Sequence, residues 1–160
     1  MQRTGSPDAE AWHEAGHALV AHWLGGRVVS LSLEVDDDGF DGRASVEWRR
    51  LAADEISDRS GRVALGGPLA ELVFQGDVDP TDAATVSAWE DDWREVQRCA
   101  EQLDADPAAR ERRIQSWVRE VQERFEDLRA QETLARIADA LDAHGTLDET
   151  LFEECLVGLG

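Results

Sequence analysis

Apolar residues recur every three or four positions over most of this chain, which is the period of an amphipathic α-helix. The segment 107–143 is compatible with one long helix or with two, because no strong break interrupts its pattern. Pro68 lies inside another helical segment, and we expect a kink or a break there because proline removes a helical hydrogen bond. The predicted helices cover residues 6–24, 54–75, 84–103, 107–143 and a last segment ending near 157.

Two short stretches have a different pattern, with β-branched residues alternating with polar ones. Residues 28–35 and 42–48 are therefore predicted as strands that pair antiparallel across a turn at residues 36–39. The sequence Thr146-Leu147-Asp148-Glu149 resembles a capping box that opens the last helix. We predict an α+β fold, mainly α, with a two- or three-stranded antiparallel sheet in a single domain over residues 1–160.

Residues 13–17 of the first predicted helix read His-Glu-Ala-Gly-His. Residues four apart lie on one face of a helix, so His13 and His17 can bind one Zn²⁺ together. The carboxylate of Glu14 would then lie near the open coordination position, where a general base that activates water is needed. The motif predicts the active site of a zinc peptidase.

Catalytic zinc usually takes three protein ligands, and the third must come from elsewhere. His22 points roughly 140° away from His17 on the same helix, and His144 lies at a predicted helix end. A carboxylate remains, and the chain has 35 acidic residues. The cluster at residues 90–92 (Glu-Asp-Asp) is the best local candidate because apolar residues flank it.

The composition limits which binding partners and which cellular compartment we expect for this protein. The formal net charge is −19, which argues against nucleic acid and against an anionic membrane surface as partners. Cys99 and Cys155 are predicted to be free thiols, because they are far apart and show no metal-binding spacing. There is no apolar run long enough to span a membrane and no signal-peptide pattern, so we expect a cytoplasmic protein without membrane insertion.

Three segments resemble the peptidase domain of the FtsH-type, AAA-associated zinc metalloproteases. Residues 11–20 (AWHEAGHALV) look like that family's zinc helix, and residues 64–74 (ALGGPLAELVF) resemble its Leu-Gly-Gly-x-x-Ala-Glu segment. Residues 145–148 (GTLD) resemble its turn before the last helix. The resemblance implies a helical, zincin-like domain in which Asp92 is the third ligand. Asp91 stays open as an alternative, because the residues before Asp92 depart from the family's pattern.

The resemblance also implies a zinc-dependent endopeptidase that acts on unfolded or extended peptides. The strand at residues 42–48 resembles the family's substrate-side edge strand, so Gly42, Val46 and Trp48 are candidate substrate-binding residues. We expect neither an ATPase module nor a membrane anchor in this chain, while a homo-oligomer is compatible with the family. Two alternatives stay open: a catalytically inactive interaction module, and the peptidase half of a split system with a separate ATPase.

Other residues near the motif have two interpretations each. Gly66 and Gly67 are predicted to allow close packing of helices. Glu71 is predicted as a surface acid, the less favoured alternative being a hydrogen bond to a ligand histidine. Tryptophans in the motif helix and beside the acidic cluster could form walls of the site, although core packing explains them equally well: Trp12, Trp23, Trp89 and Trp93.

Overall fold

The computed structural model of the protein describes residues 7–36, 39–76, 86–87 and 89–156. The predicted class is confirmed, since the fold is α+β and mainly helical with a small antiparallel sheet. Ser6, the predicted cap of the first helix, and Asp37 and Asp38 of the predicted turn lie outside the described residues. The elements of the described residues, in chain order, are α1 (Pro7–Trp23), β1 (Arg27–Asp36), β2 (Gly39–Glu47), α2 (Ala53–Phe74), α3 (Glu90–Leu103), α4 (Pro107–Phe125), α5 (Leu128–His144), β3 (Thr146–Asp148) and α6 (Glu149–Cys155).

The strand order in the sheet is β2-β1-β3, and both pairings are antiparallel. Leu31 of the central strand pairs with Ala44 on one side and with Leu147 on the other. Leu31 and Leu147 are fully buried, so this register directs apolar side chains of the sheet into the core. The prediction of two or three strands is therefore resolved as three.

The start of the last helix differs from the predicted capping box. Thr146 pairs with Ser32 in the sheet, so it belongs to β3 and does not cap a helix. Asp148 is the N-cap instead, and its carboxylate accepts a hydrogen bond from the Leu151 amide at 2.8 Å. Because Thr146 is paired in the sheet, the N-cap of the last helix lies two residues later in the chain than predicted.

Helix α2 runs through Pro68 without interruption, so of the predicted kink or break the break is wrong. An internal proline costs a helix about 3 kcal/mol. Burial offsets this cost, because the residues from Ala64 to Leu72 are all buried in the contact of α2 with its neighbours. A Cβ on Gly16 of α1 would lie only 2.1 Å from the Gly66 carbonyl oxygen, which shows how closely the two backbones approach. The predicted close packing at Gly66 is thereby confirmed.

The segment that was compatible with one helix or two forms α4 and α5. Asp106 caps α4 by accepting from the Ala109 amide, and Asp127 caps α5 by accepting from the Arg129 amide. Helix α5 ends at Gly145, whose φ of 76° is in the left-handed region that favours glycine. The apolar faces of both helices pack into a core whose largest fully buried members include Trp117, Phe125, Leu134, Ile137 and Leu141.

Two further sequence predictions concern the cysteines and the membrane. Cys99 and Cys155 are free and buried, as predicted. Within the described residues, no helix combines the length and the apolar character that crossing a bilayer requires.

Candidate metal centre

The centre of the site lies on α1, which presents His13 and His17 on the face that packs against α2. Both side chains are nearly buried, with 6% and 12% of their surface exposed. Gly67 of α2 faces them, and a Cβ at this position would lie 2.5 Å from His17 Nε2 and 2.6 Å from His13 Nε2. The absent side chain of Gly67 therefore leaves the space in which the two imidazoles meet.

The outer nitrogen of each imidazole has an acceptor as its partner. His13 Nδ1 donates to Glu71 Oε1 at 2.7 Å, and His17 Nδ1 donates to the Val63 carbonyl oxygen at 2.7 Å. Because a carboxylate and a carbonyl can only accept, each Nδ1 carries the proton. In a neutral imidazole, Nε2 then carries a lone pair, which is the tautomer that a metal ligand needs.

The two Nε2 atoms point at the same place as the carboxylate of Asp92. They are 3.0 Å apart, His13 Nε2 is 2.8 Å from Asp92 Oδ2, and His17 Nε2 is 3.3 Å from Asp92 Oδ1. Ligand atoms of a tetrahedral Zn²⁺ at about 2.0–2.1 Å are separated by about 3.3 Å. With both Nε2 atoms unprotonated, three lone-pair donors at nearly this spacing repel one another, and either protons or a cation between them removes the repulsion, so the donor set fits zinc.

The start of α3 explains why Asp92 and not Asp91 reaches the histidines. The helix begins at Glu90, six residues after the predicted start, with Trp89 as its N-cap. Asp91 points outward with 98% of its side chain exposed and pairs with Arg94 at 3.3 Å. Asp92 is one helical position further and faces α1, with 22% of its side chain exposed. The geometry therefore brings Asp92 to the histidine pair and leaves Asp91 in solvent.

Glu14 completes the cluster and is itself buried, with 5% exposure. One ligand atom each from His13, Glu14 and His17 lies within 4.8 Å of the others. These three residues could hold a metal ion. A zinc site of the catalytic kind keeps one position open, and a carboxylate beside such a position could act as a base.

Burial and charge interactions shift the pKa values of His13, His17 and Asp92. Burial lowers the pKa of His13, but hydrogen bonds to Asp92 and Glu71 outweigh burial and raise the pKa to about 10. Burial also lowers the pKa of His17, and the charge of Asp92 reverses that effect and raises the pKa. Burial raises the pKa of Asp92, yet the charge of His17 and hydrogen bonds from both imidazoles hold it well below its usual range. The cluster therefore attracts positive charge, either as protons or as a metal ion.

Glu71 is the residue that the sequence prediction placed wrongly. It is fully buried, not a surface acid, and its carboxylate accepts the proton of His13 Nδ1. The less favoured alternative, a hydrogen bond to a ligand histidine, is the one that the structure contains. A signal was present in the sequence, because Glu71 is the one charged residue in the apolar run from Leu69 to Phe74.

The remaining histidines lie elsewhere, as predicted. His22 is exposed and its ring packs against Phe152, and His144 is in the last turn of α5. Of the tryptophans, Trp23 packs on Phe125 of α4 and not at the metal cluster, because it lies at the far end of α1. Trp89, three positions before Asp92 in the sequence, is buried.

The predicted substrate residues are on β2 or directly after it. Gly42 pairs with Leu33 of β1, and Val46 pairs with Val28. A Cβ on Gly26 would lie 2.8 Å from Val46 and 2.9 Å from Trp48, so both side chains pack beyond the C-terminal end of α1. Gly26 is nine positions after His17 in the chain, so these contacts of Val46 and Trp48 are with the region after α1 and not with the histidine pair.

No protein-family model matches the chain, and no curated protein matches its sequence. The likeness to the FtsH-type peptidases therefore stays a prediction, which depends on the quoted segments and on the geometry of the cluster.

Proposed function

We propose that the protein is a zinc-dependent endopeptidase of the H-E-x-x-H type. One observation carries the proposal: His13 Nε2, His17 Nε2 and the Asp92 carboxylate converge at separations of 2.8–3.3 Å. Two nitrogen ligands and one oxygen ligand, with a glutamate beside them, are a donor set of catalytic zinc. A purely structural zinc site would more often have four protein ligands and thiolates among them.

Each residue has a role in this proposal. His13, His17 and Asp92 would hold the ion, and Glu14 would take a proton from the attacking water and return it to the leaving amine. When bound, Zn²⁺ would polarise the scissile carbonyl and make water a stronger acid. The position of Glu14 supports its role, because it is buried and its carboxylate lies within 4.8 Å of ligand atoms of both histidines.

Within this class, we propose a peptidase domain of the FtsH type. The position of Gly67 against both imidazoles and of Glu71 against His13 supports the proposal, because both belong to the segment at residues 64–74 that resembles the family. Strand β2 lies at the edge of the described sheet, so an extended peptide could add to it by main-chain hydrogen bonds. We therefore propose unfolded or extended peptides as substrates.

The test is a zinc and cleavage measurement on the purified protein. We expect one zinc per chain and cleavage of an unfolded protein such as casein. The Glu14→Gln variant keeps the shape of the side chain but is not a base, so kcat should fall by about 10²–10⁴-fold while zinc stays bound. An Arg94→Gln variant, which changes an exposed residue of α3, is the control and should cleave normally.

Two outcomes would decide against the proposal. Stoichiometric zinc without cleavage would favour the inactive interaction module, unless an added ATPase partner restores cleavage, as the split system requires. Cleavage that persists in Glu14→Gln would show that another residue, or a contaminant, is responsible.

A further inference from the structure

Glu71 is a fully buried carboxylate in the middle of α2, 58 positions away in sequence from the histidine that it contacts. Burying an ionised carboxylate is costly unless it is paired and hydrogen-bonded. Its 2.7 Å hydrogen bond is to His13, one of the two histidines of the metal cluster. The fold thus keeps an unfavourable buried charge at a place where it acts on the cluster.

The two histidines differ in the acceptor to which Nδ1 is hydrogen-bonded. Behind His13 is the anionic carboxylate of Glu71, whereas behind His17 is the neutral carbonyl of Val63, at the same distance of 2.7 Å. Both acceptors fix the ring orientation and leave Nε2 free for the ion. A carboxylate also pushes electron density into the ring and makes Nε2 a better donor, which a carbonyl does only weakly.

We propose that Glu71 is a positioning residue that makes His13 the stronger of the two histidine ligands and thereby sets the affinity of the site for zinc. Glu71 acts through His13 and need not contact the substrate. The inference rests on the proposed zinc site but not on peptide cleavage, so the two can fail separately.

The effect of Glu71 on zinc binding can be measured without a substrate. In the Glu71→Gln variant, the amide oxygen can still accept the Nδ1 proton, but the negative charge is gone. We expect the zinc Kd, measured by competition with a chelator, to rise by about 10–100-fold. The Glu120→Gln variant is the control, since Glu120 also pairs with an α2 side chain, Arg62, and its loss should leave the zinc Kd unchanged.

A spectroscopic readout separates positioning from general stability. In the zinc-loaded wild-type protein, the Nδ1 proton of His13 should resonate further downfield than that of His17, because its acceptor is charged. In Glu71→Gln the His13 proton should move upfield, and the His17 proton should stay where it is. The comparison of the two protons in the wild type tests the inference even if the variant does not fold.

The outcomes are distinct from those of the cleavage assay. A wild-type protein that binds zinc but cleaves nothing would overturn the proposed function and leave the role of Glu71 intact. A Glu71→Gln variant with unchanged zinc Kd, or two wild-type protons with the same shift, would overturn the role of Glu71 whatever the cleavage result. A wild-type protein that binds no zinc would overturn it as well.

Discussion

Gly66 and Gly67 are neighbours on α2, but the space left by each serves a different region of the molecule. A Cβ on Gly66 would lie 2.6 Å from the backbone oxygen of Gly16, in the contact between α1 and α2. A Cβ on Gly67 would instead meet the Nε2 atoms of His13 and His17, in the metal cluster. The same residue type thus serves helix packing at one position and the cluster at the next.

The comparison distinguishes residues on which folding depends from residues that would bind an ion. Backbone atoms of α1 cannot move away from a new methyl group without changing the helix pair, whereas imidazole rings can rotate about their side-chain bonds. Changes at Gly66 should therefore act on folding, and changes at Gly67 should act on the ligands.

The largest effect is expected for zinc binding in Gly67→Ala. The new methyl group would displace both imidazole nitrogens, and two ligands of a zinc site that is worth about 10–16 kcal/mol contribute roughly half of that free energy. The zinc Kd, measured by chelator competition, should rise by about 10⁴-fold or more. In the metal-free protein, unfolding by urea should show a smaller loss of stability than in Gly66→Ala, because the imidazoles can rotate and alanine favours a helix over glycine by about 0.5–1 kcal/mol.

The matched variant Gly66→Ala should have the opposite pattern. Overpacking against a backbone costs about 1–3 kcal/mol, which should appear in the free energy of unfolding of the metal-free protein. Zinc should still bind to the folded fraction with nearly the wild-type Kd. If both variants lose stability and zinc affinity together, the distinction between the two glycines is wrong.

The next effect concerns the two aspartates at the start of α3. Asp92→Ala removes one ligand, about a quarter of the binding free energy of a four-ligand site, so zinc affinity should fall by roughly 100-fold or more. Asp91→Ala removes only an exposed ion pair with Arg94, and neither zinc affinity nor stability should change measurably. Equal losses in the two variants would contradict the assignment of Asp92.

The smallest effect, counted per pH unit and per proton released, is that of pH on the cluster. The folded metal-free protein holds protons on His13 and His17 more tightly than the unfolded chain does, since the pKa of each is raised. Their contribution to stability is present in full below pH 6.5 and is lost as pH rises through the folded pKa of His13, about 10. Zinc must displace these protons, so its affinity should rise by about tenfold per pH unit for each proton released.

Isothermal titration at several pH values and in two buffers measures this proton release. The increase in the free energy of unfolding that zinc causes should become larger between pH 7 and 9. The packing at Gly66 contains no titratable group, so it should not contribute to this pH dependence. A zinc affinity independent of pH in this range would mean that the imidazoles are neutral before the ion binds.

The parts of the fold that were predictable from sequence are those set by local pattern. Helix α1 with its histidine pair, the β1–β2 ribbon and the end of α5 at Gly145 follow from periodicity and from glycine. Asp92 and Asp91 could not be separated by spacing, because the direction of each side chain depends on where α3 begins. That start, at Glu90, differs from the predicted one by six residues.

The parts that were not predictable depend on contacts distant in sequence. A kink or a break at Pro68 was expected from the helix alone, but the helix continues because burial against the neighbouring helices outweighs the cost of the proline. Thr146 was assigned to a cap because its pairing with Ser32 of β1 cannot be read from neighbouring residues. Glu71 was taken for a surface acid although the apolar run around it indicated burial; only its partner His13, on another helix, could not be read from neighbouring residues.

The cluster joins three helices, with its histidines on α1, their partners on α2 and Asp92 on α3. An ion held there would act as a reversible cross-link that closes a loop of about 75 residues between His17 and Asp92. An ion that binds only the folded chain stabilises it by mass action, so the free energy of unfolding should rise with the zinc concentration. Removal of such an ion would then loosen the contact among α1, α2 and α3, and this part of the chain should become more accessible to added proteases.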